Sequence, residues 1–217
     1  DKFEVEKKIS LESKTINSVL EKLKLSKIDW FKTDSQGTDL RIFENLDKDV
    51  KERIIVSEFE PGIIDCYEGE DKLHHVISKL DYENFWLSDL EIKGTQRYSK
   101  YLFERYNKRP HKLKISPCWG ELTYINSFKN ELKKDERSVL LGWLFSTLKE
   151  QHGFALEILL KACDIIDKDI FKLLKNYSED KIFYIENKNI NEKVVFEYSF
   201  FHKVKNKLKS FILRVLN

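Results

Sequence analysis

Apolar and polar positions alternate with two different periods along the first half of the chain. Alternation at every second residue is typical of a half-buried strand, and apolar spacing of three and four residues is typical of a helix. The first pattern predicts strands at 3–9, 39–43, 53–60, 63–67, 85–93 and 112–116. The second predicts helices at 10–25, 71–80 and 95–107. Pro61-Gly62 predicts a turn that joins two of the strands into a hairpin.

The second half of the chain is dominated by helical patterns. Helices are predicted at 121–133, 136–150, 154–166, 168–176 and 202–216, and strands at 182–186 and 194–201. The second and third of these helices are apolar enough to be buried on several sides. We therefore expect an α+β fold with a mixed central sheet, a strand-rich half over 1–120 and a helix-rich half over 121–217, together forming one compact domain.

Composition narrows the class of protein. The longest uncharged apolar stretch, Ser138 to Leu148, is shorter than the ~20 residues of a membrane span, and the charged N-terminus does not resemble a signal peptide. Three cysteines stand far apart, which predicts reduced thiols and a cytoplasmic location. A net charge of +2 gives no overall attraction to nucleic acid or to an anionic membrane, so such binding would need a local patch.

The first candidate site combines Asp65 with Glu91 and Lys93. The strand period places Glu91 and Lys93 on one face of a strand, and Asp65 stands at the end of a neighbouring predicted strand. Two carboxylates can hold Mg²⁺, which would polarise a phosphodiester and activate water, while the lysine positions that water or offsets charge. A second combination would use Asp39 with Glu58 and Glu60, without a lysine.

This arrangement resembles the PD-(D/E)xK nuclease superfamily over roughly residues 10 to 116. The resemblance rests on a helix, a hairpin that carries Asp65, the strand FWLSDLEIKG, a following helix and a further strand. It implies a metal-dependent nuclease with Asp65 and Glu91 as Mg²⁺ ligands and Lys93 as the catalytic amine. Gln96 and Tyr101 match residues that some branches carry in or near that helix.

The second candidate site is Glu4, Glu6 and Lys8, whose side chains would share one face of the first strand. This pattern resembles the opening of the CYTH, or triphosphate tunnel, superfamily. The resemblance implies a hydrolase of tripolyphosphate or nucleoside triphosphates that uses a divalent metal.

A basic C-terminal helix supplies the remaining functional candidates. Lys203, Lys205, Lys207 and Lys209 could hold a nucleic-acid backbone, although such a helix more often packs on its own domain. The leading hypothesis is therefore a metal-dependent phosphodiesterase that acts on nucleic acid. The alternatives are the triphosphate hydrolase and a non-catalytic interaction protein, such as an immunity, antitoxin or phage-type blocking factor, that binds a protein partner through its abundant aromatic residues.

Overall fold

One mixed β-sheet forms the centre of the molecule. The computed structural model describes residues 7–97, 99–106, 113–129 and 135–186. In these ranges the sheet has four strands, β1 (Trp30–Lys32), β2 (Val56–Phe59), β3 (Phe85–Gln96) and β4 (Ile115–Asn126), in the order β1-β2-β4-β3. β1 and β2 are parallel, and the other neighbours are antiparallel. The expected α+β class with a mixed central sheet is confirmed.

Eight helices surround the sheet in the same described ranges. They are α1 (Ile16–Leu23), α2 (Asp39–Glu44), α3 (Lys48–Lys51), α4 (Leu73–Leu80), α5 (Lys100–Tyr106), α6 (Glu136–Leu148), α7 (His152–Lys161) and α8 (Lys168–Glu186). Side-chain caps fix two of the starts: Thr15 accepts from the Ser18 amide at 3.2 Å, and Asp135 accepts from the Ser138 amide at 2.6 Å. None of the helices in the described part is long and apolar enough to cross a bilayer.

Different helices cover the two faces of the sheet. On one face, Phe31, Phe59 and Tyr124 join side chains of α2 and α4 in a buried cluster. On the other face, Leu141 of α6 packs with the strand residues around Val56, and Phe154 of α7 meets Trp86 edge-on with ring centroids 5.0 Å apart. The sheet is therefore apolar on both faces near its middle. A polar region lies on the face of the sheet that α6 no longer covers after its last residue.

Three predictions for the first half of the chain differ from the structure. Residues 39–43 form helix α2 instead of a strand, because Leu40 and Phe43 stand one helical turn apart and both enter the core. Residues 63–67 form no strand, so the hairpin at Pro61-Gly62 is absent. The short strand β1 was not predicted, since three residues are too few to show a period.

Two predictions in the second half are also wrong. Residues 121–126 continue β4, because a central strand covered on both faces is buried at nearly every position and loses its alternation. Helix α8 extends to Glu186, which removes the predicted strand at 182–186. The strong helical predictions over 71–80, 136–150 and 154–166 are confirmed as α4, α6 and α7, and α6 is buried at five consecutive positions, as expected. The predicted strand 194–201 and helix 202–216 lie outside the described residues.

Replacing Arg137 with lysine tests how α6 is held against the sheet. Two nitrogens of its guanidinium donate to the two carboxylate oxygens of Asp29, each at 2.7 Å, and Asp29 immediately precedes β1. Lysine keeps the charge but loses the paired geometry, so we expect Arg137→Lys to lower the free energy of unfolding by about 1 kcal/mol in urea denaturation. Lys161→Met, at an exposed pair with Glu157 within α7, should change it by less than about 0.5 kcal/mol. Equal changes in the free energy of unfolding in the two variants would show that Arg137 and Asp29 do not hold α6 against the sheet.

Candidate active-site cleft

One buried carboxylate ties together the loops that follow the two parallel strands. Asp39, at the start of α2, is 1% exposed. One of its oxygens accepts from the Thr33 hydroxyl at 3.1 Å, from the Ser35 amide at 2.8 Å and from the Ser35 hydroxyl. The other oxygen accepts from the Glu60 amide at 2.9 Å. Asp39 therefore fixes the carboxyl ends of β1 and β2 relative to each other.

A second buried carboxylate lies between the same two loops, in close contact with both. The Glu70 side chain is 2% exposed, and it accepts from the Cys66 amide at 2.9 Å and from the Lys72 amine at 2.5 Å. Gly37 and Gly62 lie directly against it: a Cβ on Gly37 would come within 2.5 Å of the Glu70 Cβ, and one on Gly62 within 2.7 Å of the Glu70 carboxyl group. Glycine is therefore required at Gly37, and a side chain at Gly62 would displace the Glu70 carboxyl group.

Substitution of Gly37 tests this close approach. Gly37 has a φ of +104°, which is unfavourable for a residue with a side chain, and the clash with Glu70 adds to that strain. We expect Gly37→Ala to lower the free energy of unfolding by about 2 to 3 kcal/mol, measured by urea denaturation. The matched change Gly153→Ala meets no atom within 4 Å and lies in α7, so it should be neutral or stabilising. Similar losses in both variants would show that the loops are not packed in this way.

A charged cleft opens at the carboxyl ends of β1 and β2, on the face where α6 ends. It has a volume of about 110 Å³ and continues onto β3 and β4. Its charged lining residues are Lys32, Glu58, Glu60, Asp89, Glu91, Glu121 and Lys149. Strand register produces this collection, because Lys32 pairs with Glu58, and both Glu58 and Asp89 pair with Thr123. In α/β sheets, ligands typically bind beyond the carboxyl ends of parallel strands, which makes this cleft the strongest candidate site among the described residues.

Glu58 is held as a carboxylate by its neighbours. It accepts from Trp30 Nε1 at 3.0 Å and forms an ion pair with the Lys149 amine, which also lies 5.3 Å from the centre of the Trp30 ring. Burial by itself would raise the pKa of Glu58, but hydrogen bonds from Lys149 and Trp30 outweigh it and lower the pKa below its ordinary value. Glu58 therefore stays ionised and is suited to fixed electrostatic contact, not to proton transfer.

Glu60, two residues further along the chain, has the opposite environment. Burial and the nearby charge of Asp34 raise the pKa of its carboxyl group above the ordinary value, and Lys32, whose amine lies 3.6 Å away, offsets them only in part. A carboxylate with a raised pKa in a cleft is a better proton acceptor than an ordinary glutamate near neutral pH. Glu60 is thus the best candidate for a general base in the described part of the chain.

Glu91 and Glu121 stand directly opposite each other on β3 and β4. Two like charges in this position repel, and Lys93 bridges them with its amine 2.6 Å from Glu91 and 3.7 Å from Glu121. The hydrogen bond to Glu91 and the two carboxylate charges raise the pKa of the Lys93 amine. Lys93 therefore serves to neutralise this end of the cleft.

The three residues of the first predicted site do not share one environment. Glu91 and Lys93 meet at the cleft, as their spacing predicted. Asp65 lies in the loop before α4, with a side chain 92% exposed, and pairs with Lys72 at 2.7 Å. In the described ranges no group of three or more His, Cys, Asp or Glu residues could hold a metal ion.

The other predicted site residues fall mostly outside the described ranges. Lys8 is exposed and lies in a segment without regular structure, whereas Glu4 and Glu6 are not among the described residues. Lys203, Lys205, Lys207 and Lys209 are also outside them. The structure therefore leaves the second predicted site and the basic C-terminal segment as predictions.

Several cleft residues were not predicted from the sequence. Glu58 and Glu60 were predicted only in the second combination, together with Asp39. Lys32, Glu121 and Lys149 were not predicted as site residues. The available signal was the charged alternation EFE at the end of an otherwise apolar run, followed by Pro61-Gly62. Lys149 gave no such signal, since it reaches Glu58 from the end of α6, 91 residues away in the chain.

Comparison with known proteins corrects the function expected from the sequence. Neither the curated proteins nor the solved structures gave a match. The resemblances to the PD-(D/E)xK nucleases and to the CYTH superfamily are wrong. The nuclease, triphosphate hydrolase and non-catalytic interaction functions that were expected from the sequence are wrong as well. The finding that overturns them is a match to a family of a different class: residues 2–87 are similar to the methyltransferase FkbM domain.

Proposed function

We propose that the chain is a methyltransferase and that its methyl acceptor binds in the charged cleft. The observation that carries this proposal is the similarity of residues 2–87 to the methyltransferase FkbM domain. The matched region includes β1, β2 and the two loops that Asp39 joins, and therefore Lys32, Glu58 and Glu60. The part of the chain that resembles a methyltransferase thus supplies one side of the candidate site, and residues beyond the match, such as Lys149, supply the rest.

The cleft offers separate groups for binding an acceptor and for taking its proton. Methylation of a hydroxyl or an ammonium group requires loss of a proton, and Glu60 can accept it because its pKa is raised by burial and by Asp34. Glu58 and Lys149 form a fixed ion pair beside it, which can orient polar groups of the acceptor. Asp39 acts as a positioning residue, since its carboxylate accepts a hydrogen bond from the Glu60 backbone amide.

The cleft fits only part of a methyl donor such as S-adenosylmethionine. Carboxylates of the cleft could accept from ribose hydroxyls or balance the positive sulfonium group, as acidic residues do at nucleotide sites. The adenine ring needs an apolar enclosure, whereas the cleft is mainly charged and its 110 Å³ is well below the ~300 Å³ of typical ligand pockets. This cleft therefore does not enclose the donor, and the roles proposed above concern the acceptor alone.

We also propose a cytoplasmic location for the chain. Cys66, Cys118 and Cys163 are all free thiols, which supports a reducing environment.

Donor binding by the whole 217-residue chain tests the proposal. Isothermal titration calorimetry with S-adenosylmethionine should give saturable binding to one site, and adenosine alone should bind more weakly because it lacks the charged sulfonium and amino-acid groups. Saturation at one equivalent would support a methyltransferase. If the heat shows no saturation, or if adenosine binds equally well, the proposal fails.

A further inference from the structure

The antiparallel ribbon formed by β3 and β4 extends beyond the rest of the sheet. β2 pairs with β4 only at Leu122 to Ile125, whereas β3 and β4 stay paired as far as Gln96 and Ile115. The side chain of Gln96 donates to the Leu113 carbonyl at 2.9 Å and closes the end of this ribbon. Helix α5 lies in the connection between the two strands, at the far end from the core.

Helix α5 exposes the side chains of Tyr101, Phe103 and Tyr106. Its sequence KYLFERY has four apolar or aromatic residues, and none of its seven residues is buried. Tyr101 is 62% exposed and Ile115, at the end of the ribbon, is 57% exposed. A helix with this composition is stable in a folded protein when another apolar phase covers it, so the exposure indicates a binding surface.

Basic side chains are interleaved with these apolar ones. Arg105 donates to the Tyr101 hydroxyl at 2.9 Å, and its guanidinium lies 5.8 Å from the centre of the Tyr106 ring. Lys100 has a side chain 91% exposed and contacts only Glu104 among the described ion pairs, at 3.9 Å. We define the arm surface as Lys100, Tyr101, Phe103, Arg105, Tyr106 and Ile115.

We propose that the arm surface docks the protein on an anionic lipid bilayer. Exposed aromatic and aliphatic side chains enter the boundary between headgroups and acyl chains, and neighbouring lysines and arginines bind anionic headgroups. Single-stranded nucleic acid also favours basic and aromatic surfaces, but it binds along a continuous basic groove, and the ribbon next to the arm surface carries Asp89, Glu91 and Glu121 beside Lys93. A bilayer touches only the tip, and Ile115 provides an aliphatic group that bases cannot stack on.

Co-sedimentation with lipid vesicles tests this proposal on the full chain. Wild-type protein should sediment with vesicles of phosphatidylcholine and phosphatidylserine, and at least about tenfold less with phosphatidylcholine alone. Lys100→Glu/Arg105→Glu and, separately, Tyr101→Ser/Phe103→Ser should each weaken binding at least about tenfold. The control Lys22→Glu/Lys48→Glu makes the same change in net charge at exposed positions elsewhere and should bind like wild type.

Three results would overturn the proposal. The first is an absence of vesicle binding, or equal binding to both lipid mixtures, by wild-type protein. The second is an equal loss in the arm variants and in the control variant, with circular dichroism showing that all are folded. The third is binding of a single-stranded oligonucleotide that depends on the same arm residues, with no vesicle binding, which would make nucleic acid the partner.

Discussion

Asp39→Asn should lower the free energy of unfolding by about 3 kcal/mol. The carboxylate of Asp39 accepts from two hydroxyls and two backbone amides while almost completely buried. An asparagine amide has one oxygen and an NH₂ group, so donors that now face Asp39 would meet another donor. Because these donors lie on the loops after both parallel strands, the loss should also loosen the cleft.

Urea denaturation of both variants in a matched pair measures this effect. Asp49→Asn changes the same chemical group at an exposed position in α3, and it should alter stability by less than about 0.5 kcal/mol. Equal stability of Asp39→Asn and Asp49→Asn would mean that the loops are not joined through Asp39. Amide hydrogen exchange at Ser35 or at Glu60 should accelerate in Asp39→Asn, since these amides bond to different carboxylate oxygens and asparagine keeps only one oxygen.

Glu60→Gln should reduce the rate of methyl transfer by a factor of roughly 10² to 10⁴. Glutamine is close to glutamate in size but cannot accept a proton, so acceptor binding should change much less than kcat. The raised pKa of Glu60 also fixes the sign of the pH dependence: the carboxyl group is protonated and inactive below its pKa, and activity rises as pH increases through it. The rise should lie above the ordinary glutamate value of 4.5.

The pH profile distinguishes a proton acceptor from a structural residue. The rising acidic limb should disappear in Glu60→Gln, whereas Glu68→Gln, at an exposed position in the following loop, should keep the wild-type rate and profile. Asp34→Asn removes a charge that raises the pKa of Glu60, so it should move the limb to lower pH. An unchanged limb in Glu60→Gln would remove Glu60 from the reaction.

Elements with a clear period or a long apolar run could be predicted from the sequence, whereas a short helix and the end of the strand buried on both faces could not. The helical stripe of 71–80 and the capped apolar run of 136–150 gave α4 and α6, because each has a one-sided or fully apolar pattern long enough to recognise. The pattern failed at 121–126, where burial on both faces of β4 removes the alternation, and at 39–43, where a helix of six residues looks like an alternating strand.

The sequence predicted which types of residue form the candidate site, but not which individual residues come together there. The two-residue period of a strand correctly predicted that Glu91 and Lys93 lie on one face, and this face borders the cleft. It could not show that Asp65 turns to Lys72 in a surface loop, or that Lys149 and Glu121 approach Glu58 and Glu91 from distant segments. Those contacts depend on strand register and on the position where α6 ends, neither of which is local in sequence.

Transfer of a labelled methyl group tests the central claim most directly. The full chain is incubated with S-adenosylmethionine, labelled in its methyl group, and with small-molecule fractions of a cell extract as a source of acceptors. We predict label in a product that forms with wild-type protein and Glu68→Gln, and that is lost with Glu60→Gln. Absence of labelled product from every fraction with wild-type protein, or equal product from wild type and Glu60→Gln, would contradict the assignment of the cleft as a methyltransferase active site.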